Sequence, residues 1–448
     1  MEQNKEVIDM TVEELEKIIK QKQSLEIQFK DVKHNGGVKS TIENFQMLMD
    51  HYGISIRYNE MSKDMEIEIP NKVFHTDIHM NAKISVIRSY AQLHNFPVQD
   101  IDNYVIAIGD RNSYHPVRDW IESNDVWDGK DRLQDYYDSI ILDEPNSMKE
   151  VMMRKWALSL MGALYHTNFS CEGVLTFSGE QGKGKTIWIE NLIPREFHNI
   201  WNKDAVVIDT KNKDSISKAL RYWITELGEV DATFKRSDIE ALKGFITEKV
   251  DVIRNPYERK SNTYSRRTVF YATVNDEEFL RDAQNRRFWV LGIKGFNHGT
   301  IDVAQFWAQI RAIYMTIKDK IGSGADRDKH QEWGWFMSPN ERLQMEPLQE
   351  RYKTIDPIEE LLEKYLEPFE TMSAYDKLNA EYLSCTEILQ QCSFGTPNRQ
   401  ATNIASKYLK KKGYERNWSK KWRVKFKSIV EEKVLNFDKF KKKGFGIN

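Results

Sequence analysis

Residues 173–192 read GVLTFSGEQGKGKTIWIENL, and this stretch decides the fold class. Its first six residues form an apolar, β-rich run typical of a buried strand, and its last six have the composition of a helix. Between them, residues 179–186, here called the glycine loop, match the pattern G-x-x-x-x-G-K-[ST]. A strand, a glycine-rich turn and a helix in this order predict an α/β nucleotide-binding core rather than a turn that binds nothing.

The residue types in the glycine loop suit a chain of phosphates. Gly179, Gly182 and Gly184 let backbone N–H groups face the phosphates, and the following helix adds the positive end of its dipole. We expect Lys185 to reach the β- and γ-phosphates and the Thr186 hydroxyl to bind Mg²⁺. The predicted cofactors are therefore ATP and Mg²⁺.

An acidic site is predicted in residues 222–231, which read YWITELGEVD. A phosphate loop needs a carboxylate at the end of a neighbouring strand, to hold Mg²⁺ and to orient the attacking water. We assign Glu226 to the metal and Glu229 to the water, although these roles can be exchanged. The simpler alternative is a pair of surface acids that follow a strand.

Two further blocks can complete a site for phosphoryl transfer. Residues 267–275 form a β-rich run ending in Asn275, whose amide can donate and accept hydrogen bonds and so position a water. Residues 285–289 read NRRFW, and Arg286 or Arg287 can stabilise the phosphoryl group held by a neighbouring subunit. The sequence does not choose between the two arginines, and surface ion pairs are the alternative.

Two basic regions predict contact with nucleic acid. Residues 249–267 read as a hairpin in which Arg259 and Lys260 can contact phosphates and Tyr264 can stack on a base. Residues 401–448 contain 13 Lys and 2 Arg against 3 Glu and 1 Asp, a net charge of +11. A solvated charged loop is the alternative for the hairpin.

Residues 355–428 predict a winged helix. The pattern gives helices at 385–391 and 398–409 and two short wing strands at 414–418 and 421–426. Side chains that share one face of the second helix are Arg399, Gln400, Asn403 and Lys407. Arginine, glutamine and asparagine are the usual readers of base edges. The alternative is a solvated face on a small packing domain.

Composition narrows the class of protein. Of 448 residues, 40% are apolar and 30% charged, which excludes a wholly disordered chain and predicts two or three domains. The formal net charge of −2 leaves only local patches to attract nucleic acid. Three cysteines without C-x₂-C spacing predict neither a disulfide framework nor a structural zinc site. Without a signal peptide or a spanning segment, we expect a soluble, cytoplasmic protein.

The predicted organisation has three parts. Short helices and a strand pair favour an α+β domain over 1–145. A P-loop domain with a parallel sheet is predicted over 146–345. Residues 346–448 are assigned to a helical linker, the winged-helix-like domain and a basic tail.

Together these blocks resemble the virulence-associated E family of phages and chromosomal islands. The order is G-x-x-G-x-G-K-T, W-I-T-E-L-G-E, D-x-x-R-x-x-Y, A-T-x-N and N-R-R-F-W, preceded by WDGKDRL at 127–133. That family is similar to superfamily-three and poxvirus-type helicases of the AAA+ class. The acidic block departs from the pattern, because E-L-G-E replaces two adjacent acids.

The resemblance implies a ring-forming ATPase, usually a hexamer, that moves on single-stranded DNA and binds an origin duplex. It implies nucleotide binding by Lys185 and Thr186, a sensor role for Asn275 and a finger role for Arg286 or Arg287. Family members often carry a primase upstream. Residues 1–145 have no paired-carboxylate polymerase motif, so we expect no primase activity here and consider a separate primase or loader as a partner.

Three functions fit these patterns. The first is an AAA+ DNA helicase or replication initiator of a mobile element. The second is an ATP-switched DNA-binding or assembly protein that does not unwind DNA. The third is a P-loop kinase acting on a small molecule or a polynucleotide 5′ end. The paired arginines and the basic tail count against a kinase, because a kinase needs no arginine from a neighbour.

Overall fold

The computed structural model describes residues 27–75, 79–228, 236–253, 262–275, 286–297, 299, 301–321, 333–352 and 356–427. This described part forms two compact units, which divide between Glu350 and Arg351. The first unit includes both of the regions assigned to the first two domains, and the three-domain division stays a prediction. No helix in these ranges combines the length and the apolar character needed to cross a bilayer.

The first unit opens with a small α+β layer. Its helices are α1 (Ile42–His51), α2 (His79–Leu93), α3 (Ile101–Arg111) and α4 (Pro116–Ser123). Strands β1 (Ser55–Asn59) and β2 (Asp64–Glu68) form an antiparallel hairpin, and β3 (Ser113–Tyr114) pairs parallel to β1. Thr41 caps α1 by accepting the N–H of Asn44.

A six-stranded sheet occupies the centre of the first unit. Its spatial order is β4 (Ile140–Leu142), β11 (Phe288–Phe296), β5 (Val174–Ser178), β10 (Val269–Val274), β7 (Ile224–Leu227) and β6 (Asn202–Val206). All neighbours pair parallel except β4, which runs antiparallel to β11. Strands β5, β7 and β10 are buried almost throughout, which explains their continuous apolar sequences. The predicted α/β class and its parallel sheet are confirmed.

Helices cover this sheet, and tryptophans tie the layers together. The helices are α5 (Leu133–Asp138), α6 (Lys149–Tyr165), α7 (Lys185–Glu190), α8 (Lys213–Ala219), α9 (Arg236–Thr247), α10 (Val303–Ile317) and α11 (Pro339–Glu350). Trp156 of α6 donates its indole N–H to the Phe270 carbonyl at 3.0 Å, and Trp223 donates to the Leu160 carbonyl at 3.2 Å. A buried indole needs such an acceptor, so each tryptophan fixes a helix against a strand.

The α+β layer meets the sheet through the turn between β1 and β2. Lys63, only 4% exposed, donates to the Leu220 carbonyl at 2.5 Å, and Asp64 pairs with Arg221. Glu60 pairs with Arg267 at 3.0 Å. Leu220 and Arg221 precede β7, and Arg267 precedes β10. The α+β layer is therefore fixed at the amino-terminal ends of the parallel strands.

Within its described residues, the second unit contains four helices and a two-stranded sheet. Its elements are α12 (Pro357–Tyr365), α13 (Ala374–Leu378), β12 (Glu381–Leu383), α14 (Cys385–Gln391), α15 (Arg399–Lys411) and β13 (Trp422–Val424). The predicted helices at 385–391 and 398–409 are confirmed. The predicted strand at 414–418 is wrong, because the chain makes only the single bridge Arg416–Trp422 before it turns. Instead, β13 pairs antiparallel with β12.

Candidate functional site

The glycine loop joins β5 to α7 at the carboxyl edge of the parallel strands, where α/β sheets usually bind ligands. Its backbone requires glycine. Gly179 has φ +153°, and a Cβ there would lie 2.7 Å from the Ile293 carbonyl oxygen. Gly182 and Gly184 have φ +84° and +88°. A backbone of this shape fits a phosphate chain, because it leaves N–H groups unobstructed by side chains.

Lys185 lies inside the curve of the glycine loop and is 7% exposed. Its ammonium group donates to the carbonyls of Gly179 and Glu180, and to that of Val274 at 3.3 Å. It also donates to the amide oxygen of Asn275 at 3.3 Å. Lys185 and Asn275, which are 90 positions apart and were assigned to one site, are thus in contact. Parallel pairing of Val274 with Ser178 produces this proximity.

Glu226 is 5% exposed on β7, and three donors hold its carboxylate. The Thr273 hydroxyl donates at 2.6 Å, the Ala205 N–H at 3.1 Å and the Tyr271 hydroxyl at 3.3 Å. Burial and the carboxylates of Glu226 and Asp204 raise the pKa of Tyr271 well above its usual range. That phenol therefore stays protonated and keeps its donor role near neutral pH.

Tyr271 and Thr273 were missed from the sequence, although a signal for them existed. Residues 271, 273 and 275 alternate along β10, so their side chains point to one face of the sheet. Tyr271 lies opposite Glu226 in the parallel register. The period-2 pattern that ends at Asn275 therefore identifies the supports of the acidic residue on the next strand.

The oxygen donors here suit magnesium. Thr186 lies half-buried in the first turn of α7, and its hydroxyl and the Glu226 carboxylate are the hard ligands that Mg²⁺ prefers. The described residues contain no cluster of three His, Cys, Asp or Glu side chains able to form an all-protein metal site. Magnesium in nucleotide sites needs no such cluster, because phosphates and water supply most of its ligands.

Arg286 and Arg287 lie at the amino-terminal ends of the parallel strands, at the end of the sheet opposite the glycine loop. Arg287 accepts the Val174 N–H at 2.7 Å, Phe288 pairs with Val174, and Gly292 pairs with Ser178. The glycine loop follows Ser178, so roughly 20 Å of extended strand separates the arginines from it, at ~3.3 Å per residue. Arg286 is exposed and Arg287 partly exposed. The structure thus does not bring them to the glycine loop of their own chain.

Several predicted residues fall elsewhere. Glu229, Arg259 and Lys260 lie outside the described residues. The predicted hairpin is present at its base, where β8 (Val250–Ile253) pairs antiparallel with β9 (Asn262–Ser265). A buried ion pair fixes this base, since both Asp251 carboxylate oxygens accept from the Arg266 guanidinium at 2.8 Å.

The four predicted base-reading residues lie on the exposed face of α15. These are Arg399, Gln400, Asn403 and Lys407, all exposed. The opposite face is buried in the core of the second unit through Ala401, Ala405, Tyr408 and Leu409. The helix contains no acidic residue, so its solvent face is uniformly basic or neutral.

Comparison with known proteins agrees with the order of the motifs. A family model described as the virulence-associated protein E-like domain matches residues 121–354, more than half of the chain. No curated protein is similar enough in sequence to count as a relative.

Solved structures with a similar chain include two apo forms of the NrS-1 C-terminal region, residues 305–718. The first is 14% identical, covers 86% of this chain and 99% of its own, and has a TM-score of 0.43. The second, the A form, is also 14% identical, covers 85% and 97%, and has a TM-score of 0.40. Because the family model matches more than half of the chain, the chain belongs to the virulence-associated protein E-like family.

Proposed function

We propose that this chain is an ATP-dependent DNA helicase or replication initiator of a mobile genetic element. One observation carries the proposal. Lys185, Asn275 and the supported Glu226 lie at one edge of the parallel sheet, whereas Arg286 and Arg287 lie at the other. At that distance the arginines cannot reach a nucleotide held by the glycine loop of their own chain. A ring of identical subunits, such as a hexamer, would place them at the neighbour's nucleotide.

The sheet order supports an AAA+ core. Strand β10 lies between β5, which leads into the glycine loop, and β7, which carries Glu226. Strand β10, which ends just before Asn275, is therefore the direct neighbour of both strands. Such a strand can report the state of the nucleotide, because its tip contacts Lys185 while its Thr273 contacts the acid.

Each residue has a definable task in hydrolysis. The glycine loop would bind phosphates through its N–H groups, and Lys185 would exchange its carbonyl acceptors for phosphate oxygens. Thr186 and Glu226 would hold Mg²⁺, which neutralises charge on the phosphates. Asn275 would orient the attacking water, and Glu229 would accept its proton. Arg286 or Arg287 would stabilise the charge that develops in the adjacent subunit.

The DNA contacts are assigned to two elements. The exposed face of α15, with the helix α14 before it and the turn after it, supports a winged-helix-like unit that docks on duplex DNA. The hairpin of β8 and β9, with Arg259 and Lys260, would follow a single strand through the ring.

The decisive experiment compares ATP hydrolysis with and without single-stranded DNA in wild type and Lys185→Ala. We expect DNA to stimulate hydrolysis, and the variant to lose roughly 100-fold or more of the rate, as when one preorganised transition-state donor is removed. Lys183→Ala is the matched control, since Lys183 lies in the same loop but is exposed and pairs with Glu180 at 3.0 Å. Its rate should stay near that of wild type.

Other results would reassign the protein. Hydrolysis that depends on Lys185 but ignores DNA would contradict a motor and favour the ATP-switched assembly protein. Phosphate transfer to a polynucleotide end by a monomer would favour a kinase. Absence of hydrolysis under all conditions would overturn the proposal. An unwinding assay on a forked duplex then separates a helicase from a DNA-bound switch.

A further inference from the structure

Trp418 has 95% of its surface exposed, the largest exposure among the large apolar side chains of the described residues. The other tryptophan of this segment, Trp422, is 3% exposed and packs in the core of the second unit. Single apolar side chains on a surface are common, but tryptophan is usually buried for most of its area. An indole held fully in water therefore points to a role outside the fold.

The turn that carries Trp418 is fixed by hydrogen bonds. The Asn417 N–H donates to the Lys421 carbonyl at 2.9 Å, and the Asn417 side chain accepts the Lys421 N–H at 2.9 Å. Arg416 donates from Nε to the Lys420 carbonyl at 3.2 Å, and its guanidinium lies 5.1 Å from the Trp422 ring. The backbone under the exposed ring is thus tied to the core, so little ordering remains to be done on binding.

The surroundings of this ring are cationic. Arg416 and Lys420 each lie two residues from it. The nearest acids along the turn and its partner helix are paired: Glu415 with Arg423 at 2.8 Å and Glu387 with Lys421 at 3.3 Å. A protein partner would need an apolar patch around the indole, but its sequence neighbours are Asn417 and Ser419. One aromatic ring among cations instead suits a base with phosphates on either side.

We propose that Trp418 stacks on an unpaired base of DNA while Arg416 and Lys420 contact the adjacent phosphates. The inference rests on the proposed DNA binding of the second unit. It adds a residue that distinguishes single-stranded from double-stranded DNA without recognising a sequence. Bases in a duplex are already stacked on both faces, and opening a step costs energy. An unpaired base offers its face without that cost. The site therefore prefers single strands or the junction where a duplex opens.

The test uses the full chain without nucleotide and an oligonucleotide containing one 2-aminopurine, whose fluorescence falls when it stacks. We expect wild type to quench this base, and Trp418→Ala to abolish the quenching and weaken single-strand binding roughly fivefold to a hundredfold. Trp418→Phe should restore most of both signals. Duplex affinity, measured by anisotropy, should change little in either variant.

Tyr375→Ala is the matched control, because Tyr375 is another aromatic of the second unit and is 74% exposed. It should bind and quench as wild type does, and all variants should melt at the same temperature. Binding by wild type with equal quenching in Trp418→Ala would refute the stacking role and leave the proposed function intact. Equal losses on duplex and single strand would refute the preference for unpaired bases. Failure of wild type to bind any DNA would overturn the proposed function itself.

Discussion

At the scale of single residues, Gly179 shows why the glycine loop admits few substitutions. Its φ of +153° lies in a region open almost only to glycine, and an added Cβ would meet the Ile293 carbonyl oxygen at 2.7 Å. We predict that Gly179→Ala lowers the free energy of unfolding by about 2–3 kcal/mol and weakens nucleotide binding. Thermal melting and titration with a fluorescent ATP analogue would measure both effects.

Gly182→Ala provides the comparison for Gly179→Ala. Its φ of +84° is also left-handed, but nothing lies within 4 Å of an added Cβ, so only the backbone penalty of about 1–2 kcal/mol applies. The difference between the two variants therefore isolates the close approach to β11. Equal losses would show that the Ile293 carbonyl yields freely, and that the position is not fixed by packing.

The sequence predicted some of these residues and missed others for a physical reason. Lys185 and Asn275 were identified because the motif and the strand ending each give a local signal. The support of Glu226 by Tyr271 and Ala205 was missed because it depends on the register between strands. Register is decided by how whole strands pack, and spacing along the chain does not specify it.

At the scale of elements, the exposed face of α15 carries both cationic and amide side chains, and under the proposed function the two kinds would contribute differently to DNA binding. We predict that Lys407→Ala weakens binding to all duplexes about equally and lowers the slope of log affinity against log salt by about 1. Gln400→Ala should leave that slope unchanged and reduce discrimination between sequences. Anisotropy across a salt series, on several duplexes, measures both quantities.

Lys412→Ala is the control for the charge effect on α15. Lys412 follows the helix directly and already pairs with Glu363 at 2.9 Å, so its removal should change the salt slope less than the removal of Lys407. An equal change in slope would mean that the whole end of the unit acts through net charge, without a defined helix face.

The elements predicted best are those with capped, periodic sequences. Asn398 caps α15 and Ser384 forms a capping box with Glu387 at α14, and both helices were predicted. The three-residue strands β4 and β12 were missed, since so few residues cannot display a period of two. The helical linker expected at the start of 346–448 is divided between α11 and α12, and Pro357 occupies the first turn of α12, where a helix tolerates proline.

At the scale of the whole molecule, buried Lys63 makes the junction between the α+β layer and the sheet sensitive to pH. Burial lowers the pKa of Lys63 from 10.5 to about 7. Between pH 7 and 10 the unfolded chain holds this proton more firmly than the folded one. We therefore predict that the free energy of unfolding contributed by this group rises with pH, by up to ~1.4 kcal/mol per unit.

Lys63→Met tests this contribution, because methionine replaces the ammonium group by an apolar chain of similar length. Denaturant titrations at pH 7 and pH 9 should show a larger gain in stability for wild type than for the variant. Comparing the two proteins cancels the titration of other groups. Parallel pH curves would contradict a buried ammonium with a lowered pKa.

The glycine loop and the arginine pair lie at opposite ends of the parallel strands, so each subunit offers two different surfaces that can meet head to tail. Under the proposed mechanism, an open row of subunits leaves an unused loop at one end and unused arginines at the other. Only a closed ring gives every subunit both a neighbour's arginines and a neighbour's glycine loop. The rate of ATP hydrolysis per subunit would then depend on whether the ring is closed. A subunit with substituted arginines would lower hydrolysis at its neighbour's nucleotide and leave its own nucleotide site intact.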